Sequence, residues 1–179
     1  WEVLLGVRYD NFHVDVDDYK GAGHARVSST DDLFSPRAGL IYKPLDNLSF
    51  YTSYSLSYVP RAGEQLASLS ASNRSLDPEE FINREVGVKW DVSERLAATA
   101  AVYRLDRSNV AVTDPSDPSR SILVDGQRMT GVELGLTGQL TDAWQVSGGY
   151  AYQDSEIRTP DFDGNEIAQV PRDSFSLWN

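Results

Sequence analysis

The sequence predicts an all-β chain: an antiparallel, up-and-down sheet whose strands have the length and facing of a transmembrane β-barrel. Three observations predict it. Apolar and polar residues alternate with period two over long stretches. The alternating segments run to about 10–14 residues, long for soluble strands but suited to tilted strands crossing a bilayer of roughly 30 Å. The connections alternate between very short and long, which gives the sheet two unlike ends.

Taken in order, Val3–Val16 and Phe34–Leu45 read as strands, with an irregularity expected near Asp10–Asn11. Leu48–Val59 is the clearest segment. Its even positions (Leu48, Phe50, Thr52, Tyr54, Leu56, Tyr58) make an apolar, aromatic face, and its odd positions (Ser49, Tyr51, Ser53, Ser55, Ser57, Val59) a hydroxyl face. Ile82–Val92 sets Val86, Val88, Trp90 and Val92 against Asn83, Glu85, Gly87, Lys89 and Asp91. Leu96–Leu105 is strand-like, but Ala on both sides leaves its facing open. Val132, Leu134, Leu136 and Leu140 oppose Glu133, Gly135, Thr137 and Gln139; Trp144, Val146, Tyr150 and Tyr152 oppose Gln145, Ser147, Gly149 and Gln153. Ser174–Trp178 makes a last strand. Tight turns are expected at Pro44–Asn47, Ser93–Glu94 and Thr141–Ala143, and long polar connections near 18–33, 61–80, 108–121 and 158–170. Pro36, Pro44, Pro60 and Pro171 are placed at strand ends and the other prolines in loops, where no ladder donor is lost.

Composition narrows the function. The chain has 179 residues, with 27 acidic and 16 basic side chains and a net charge of −11. That balance disfavours nucleic acid and a basic membrane-surface helix. Cysteine is absent, so disulfides, thiolate metal sites and a thiol nucleophile are excluded. Only His13 and His24 carry imidazole, which leaves little for acid–base or nucleophilic catalysis, and no Gly-x-Ser-x-Gly elbow occurs. The longest apolar-rich stretch, Ala-rich Leu96–Tyr103, is far shorter than the roughly 18 residues a spanning helix needs. The start at Trp1 carries no signal-peptide pattern.

Soluble sandwich strands also present one apolar face, so water and lipid both remain open on periodicity alone. Two features favour lipid: strand length, and the placement of aromatics. Tyr42, Phe50, Trp90 and Trp144 lie by the short turns, and Tyr58, Phe81 and Tyr152 by the long-loop ends. Two aromatic bands flanking aliphatic positions match interfacial girdles, with the polar face lining a wet or plugged lumen.

Several runs resemble the barrel of TonB-dependent siderophore receptors. They are Phe34-Ser-Pro-Arg-Ala-Gly-Leu-Ile-Tyr-Lys-Pro44 followed by Leu48-Ser-Phe-Tyr-Thr-Ser-Tyr-Ser55, and Leu76-Asp-Pro-Glu-Glu-Phe-Ile-Asn-Arg-Glu-Val-Gly-Val-Lys89. Ala98–Leu105, Gly131–Gly135 and Val170–Trp178 follow in the same order, so the resemblance covers essentially the whole chain. It implies a 22-strand barrel with an internal plug, binding ferric siderophores at its outer mouth and importing them with energy relayed from the inner membrane. The expectation is therefore one partial barrel domain over 1–179, about eight strands of a larger barrel, without the plug, the TonB-binding segment or the terminal strands. No enzymatic activity is expected. The implied location is the outer membrane of a Gram-negative bacterium. The implied partners are a ferric siderophore, outer-membrane lipid and, through the missing plug segment, the TonB complex; nucleic acid is not among them. No resident cofactor is expected, iron entering only as cargo. The alternative is a small complete eight-strand barrel with a structural or adhesive role.

Candidate site residues follow from facing and loop position. Arg37, Lys43, Glu85, Lys89, Asp91 and Glu133 are expected on the lumen side, facing a plug or one another. The outer loops are acidic, which does not steer a neutral or anionic iron chelate. Recognition would then rest on Tyr58, Arg61, Arg74 and Arg120, since Arg offers a fixed charge and a planar fork for carbonyl, catecholate or carboxylate oxygens. No metal site is expected. Asp161-Phe-Asp-Gly-Asn-Glu166 has its Gly too early for a calcium loop and reads as an Asp-Gly turn. Gly21-Ala-Gly-His24 is loop chemistry.

Overall fold

The computed structural model describes residues 1–18, 25–60, 76–114, 116–159 and 162–179. Among these residues ten strands form: β1 (Glu2–Asp18), β2 (Ala25–Leu45), β3 (Leu48–Val59), β4 (Glu79–Ser93), β5 (Leu96–Ser108), β6 (Val110–Asp114), β7 (Asp117–Val124), β8 (Gln127–Thr141), β9 (Trp144–Ile157) and β10 (Asp173–Trp178). Eight make one antiparallel sheet in the order β1-β2-β3-β4-β5-β8-β9-β10, while among the described residues β6 and β7 pair only with each other. Neighbours in sequence are neighbours in space, as short turns demand. Each of the three short turns is preceded by a register shift, between Tyr42 and Leu45, Asp91 and Ser93, and Gln139 and Thr141. Bulges at one rim twist the strands more steeply there and help the sheet curl.

The sheet is a single layer. Among the described residues only Val27, Leu33 and Val146 are buried hydrophobics, and no side chain is fully buried. A soluble sandwich needs a second apolar layer against the first; here the apolar face has none. Among the described residues β1 and β10 do not pair, so the sheet is an open arc rather than a closed small barrel.

Register assigns the two faces across all eight strands. One row runs Tyr42–Phe50–Val88–Ala100–Leu134–Tyr150–Phe175, and the next Val3–Leu40–Thr52–Val86–Val102–Val132–Tyr152. This apolar face is the outward one. The neighbouring polar row runs Ile41–Tyr51–Gly87–Ala101–Glu133–Ala151–Ser174. The ambiguous Ala-rich strand is thereby resolved: Ala98, Ala100 and Val102 face outward, and Ala97, Ala101 and Tyr103 inward. The outward aromatics cluster near both ends, with Trp1 stacked on Tyr42 at 4.3 Å and Tyr9 against Phe34 at 4.8 Å.

Five expectations are corrected. The connection expected near 108–121 is largely the β6–β7 hairpin, and Pro118, expected in a loop, lies in β7. The β1–β2 ladder passes through Asp10 and Asn11 without a break. The connection expected over 18–33 is mostly strand, because Arg26–Asp15 and the Tyr9 and Asn11 bonds to Asp32 bind the two arms above the apolar rows. Pro36 lies inside β2, yet among the described residues β2 pairs with β3 only from Arg37 onward, so no described β2–β3 bond needs its missing N–H. Phe81 faces inward, opposite Ser57 and Arg107, because it differs in parity from Val86 and Val88.

The facing is tested by two substitutions in a lipid-reconstituted barrel carrying this chain. Val88→Arg, on the outward face within the apolar band, should cost roughly 2–4 kcal/mol in denaturant titration, and Lys89→Gln much less. A reversed order would mean the register is off by one residue.

Candidate functional site: the inward face and outer mouth

The inward face is polar and built around two tyrosines. Tyr51 lies opposite Gly87 and Tyr103 opposite Gly131, so each ring lies flat over a position without a side chain. A Cβ at Gly87 would fall 2.5 Å from the Tyr51 phenol, and one at Gly131 would fall 2.6 Å from that of Tyr103. Only glycine admits these approaches. The laid-down rings aim their hydroxyls at neighbours: Tyr51 donates to Glu85, and Tyr103 donates to Gln153 at 3.1 Å. Lys89 sits over the Tyr51 ring at 5.4 Å. Rings over glycines recover packing that the glycines alone would forfeit.

Register puts Arg37, Glu85, Lys89, Asp91 and Glu133 on this same face. They do not form one continuous ion-pair chain. Lys43 pairs with Glu2 at 2.7 Å. Arg37 lies across Gly6. Glu85 and Lys89 meet through Tyr51. The Asp91 backbone exchanges bonds with Asn47 beside the short turn, its N–H donating at 2.8 Å and its carbonyl accepting the Asn47 amide at 3.1 Å.

At the long-loop end the inward face carries Ser57, Phe81, Arg107 and Gln127 in one row. Arg107 donates through Nε and Nη2 to Glu79 Oε2 at 2.9 and 2.7 Å, stacks over the Phe81 ring at 5.7 Å and reaches Gln127 at 3.4 Å. A guanidinium held by a carboxylate and a ring presents its remaining donors in a fixed direction. Sequence reasoning missed Arg107 because Phe81 was placed on the wrong face. The signal that could have found it is parity with Tyr103, four residues before. Beyond this row β6 and β7 make a small hairpin, entered through Asn109 in left-handed conformation (φ 58°) with its amide bonded to the Pro78 carbonyl at 3.2 Å.

Of the residues expected to meet ligand, Tyr58 stands opposite Glu80 on the outward parity of Tyr54 and Phe50, at the rim rather than in the lumen. Arg61 and Arg74 lie outside the described residues, and so does Gly21–His24. Arg120 belongs to β7; its side chain is not described. The segment after β9 closes on itself as an Asp-Gly turn, with Gly164 at φ 84° and its N–H donating to the Ile157 carbonyl at 3.0 Å. In that segment the Arg158 guanidinium is raised above its ordinary pKa, first by its hydrogen bond to Glu156. Among the described residues no acidic or histidine cluster could hold a metal ion.

The close approach predicts a graded response. Gly87→Ala should destabilise the barrel by about 1–3 kcal/mol through displacement of Tyr51. Gly39→Ala, whose Cβ would meet its nearest neighbours at an ordinary 3.6 Å, should cost clearly less. Equal losses in denaturant titration would remove the ring-over-glycine account.

Comparison with known proteins places this architecture. The family model described as TonB dependent receptor-like, beta-barrel matches residues 1–179. The chain is 33% identical, over 99% of its length, to a probable TonB-dependent siderophore receptor, PiuA, of Acinetobacter baumannii. It is 34% identical, also over 99%, to the metal-pseudopaline receptor CntO of Pseudomonas aeruginosa. The crystal structure of the A. baumannii siderophore receptor PiuA superposes on 98% of the chain with a TM-score of 0.87. That of the ferric-catecholate import receptor Fiu from Escherichia coli does so with a TM-score of 0.80 at 26% identity. The chain spans only about a quarter of these relatives, 26% of PiuA and 25% of CntO by sequence. The open arc, its apolar outward rows and its polar inward rows are thus one stretch of a receptor barrel wall, and the chain belongs to the TonB-dependent receptor β-barrel family.

Proposed function

We propose that the protein carrying this chain is an outer-membrane receptor that binds ferric siderophores and imports them with energy delivered by a TonB complex. In this reading the chain supplies part of the barrel wall and of the outer mouth. The observation that carries the proposal is the match to a siderophore receptor over nearly the whole chain, in sequence (33% identity) and in fold (TM-score 0.87) alike. The open arc supports it over a small complete barrel, because closing eight strands would require β1 to pair with β10. The roles of the inward residues follow: Arg37, Lys43, Glu85, Lys89, Asp91 and Glu133 would face a plug or water. The fixed fork of Arg107, together with Arg61, Arg74, Arg120 and Tyr58 at the rim, would offer donors to an anionic chelate. Iron is cargo, held by the siderophore rather than by protein ligands.

The test is uptake of labelled iron by cells whose own siderophore receptors are deleted and which express the full-length protein. Iron is offered on catecholate, hydroxamate and carboxylate siderophores. Uptake of at least one chelate is expected, abolished when TonB is deleted. The paired change Arg61→Glu and Arg74→Glu, at equal receptor abundance, should weaken binding by roughly tenfold, the order expected from losing charge-assisted hydrogen bonds. No uptake of any chelate would contradict the function. Uptake with unchanged affinity in the double variant would instead assign recognition to other groups.

A further inference from the structure

Before any ligand arrives, the Arg107 guanidinium at the outer mouth already holds an anion of its own. Glu79 on β4 and Arg107 on β5 share the inward parity of Phe81. Arg107 Nε and Nη2 both donate to Glu79 Oε2, at 2.9 and 2.7 Å, and the two side chains are 31% and 19% exposed. These are charge-assisted bonds in a partly dry spot, so the carboxylate cancels most of the guanidinium's attraction for a distant anion. Nη1 reaches Gln127 at 3.4 Å. One N–H on each Nη is left without a protein partner among the described residues. The backbone beneath Glu79 is held independently of its side chain. Glu79 pairs with Val59 in the β3–β4 ladder, and the Pro78 carbonyl accepts from the Asn109 amide at 3.2 Å. Moving the carboxylate off Arg107 therefore needs side-chain rotation and leaves the strand in place. The Phe81 ring, 5.7 Å from the guanidinium, keeps Arg107 in position whichever anion it carries.

We propose that Glu79 is a specificity-determining residue, which sets the charge class of iron chelate that the mouth accepts by occupying Arg107 in the chelate's place. The inference rests on the siderophore reading and deepens it. An anionic chelate, with catecholate or carboxylate oxygens, must displace a carboxylate that already makes two charge-assisted bonds, or sit beside it as a like charge. A neutral chelate, such as a ferric trihydroxamate, uses the remaining N–H groups and meets no charge of its own sign. Discrimination then comes from a penalty on one class of ligand rather than from added attraction for the other. The neighbouring acids on these ladders do not duplicate Glu79, because Glu80 and Glu156 lie on the outward parity. An ion pair that merely ties β4 to β5 would affect every ligand alike.

The test measures binding of two probes, a neutral ferric trihydroxamate and a triply negative ferric tricatecholate, to the full-length receptor. Glu79→Gln keeps the size of the side chain and removes its charge. It should raise affinity for the tricatecholate by about fivefold or more and leave the trihydroxamate within about twofold. The gain should vanish in the double variant E79Q/R107Q. Glu80→Gln removes the same charge from the outward side of the same strand and should move neither probe by more than about twofold. Gln127→Glu adds a carboxylate on the other side of Arg107 and should weaken tricatecholate binding by a similar factor. It serves alone if Glu79→Gln fails a heat-modifiability check for folding. An equal change for both probes would make the pair structural and overturn the proposal, and so would a gain that survives loss of Arg107. The uptake assay is run in parallel. Iron import with a flat response to these variants overturns this inference alone, whereas no import of any chelate overturns the receptor reading beneath it.

Discussion

A backbone that enters lipid has no water to satisfy its N–H and C=O groups, and each unpaired group costs several kcal/mol. Every other feature of this chain follows from that demand. It makes each strand pair on both sides over the spanning length. The long ladders of β3, β4, β5, β8 and β9 do so, with partners fixed residue by residue. It restricts proline to places where no ladder donor is needed, and Pro36 lies above the β2–β3 ladder of the described residues. Among the described residues β1 and β10 each pair on one side only, so the arc leaves an open edge at either end.

Once the ladders are fixed, alternation does the rest. Period two sends one set of side chains to lipid and the other to the lumen, and no core is needed between layers. The upper edge of the apolar face descends across the sheet, from Tyr9 and Phe34 on β1 and β2 to Val86, Val102 and Val132, and then to Phe175 on β10. Register rows run perpendicular to strands. In strands tilted by about 35–45° the rows climb relative to the bilayer, so a level apolar band must cut them on a diagonal. On the wet face the same geometry lets Tyr51 and Tyr103 lie down over glycines and stiffen the wall while their hydroxyls reach across to polar neighbours.

Much of this was legible in the residues. The facing of Leu48–Val59 and Ile82–Val92 follows from period two, and the short turns follow from composition; the structure agrees on both. What escaped was whatever period two does not encode. The β1–β2 hairpin continues above the apolar rows because Asp15, Arg26, Asp32 and Asn11 bond across it, and a polar, ion-paired strand looks like a loop in sequence. The β6–β7 hairpin hid for the same reason, its prolines and aspartates marking a connection. Phe81 was misassigned because an aromatic near a loop end suits either face. That error concealed Arg107, whose value comes from Glu79, distant in sequence and adjacent in the ladder.

The two-sidedness of this wall is the claim on which function and lipid contact both rest, and the absence of cysteine from the chain makes it directly measurable. Single cysteines at Glu85, Val86, Val88, Lys89, Trp90 and Asp91 would carry nitroxide labels in the lipid-reconstituted full-length receptor. Collision with oxygen, which concentrates in lipid, is compared with collision with a water-soluble nickel chelate. Labels at 86, 88 and 90 should collide preferentially with oxygen, and labels at 85, 89 and 91 with the nickel chelate, in strict alternation along β4. Equal accessibility at neighbouring positions, or the reverse alternation, would contradict a barrel wall with the apolar rows in lipid.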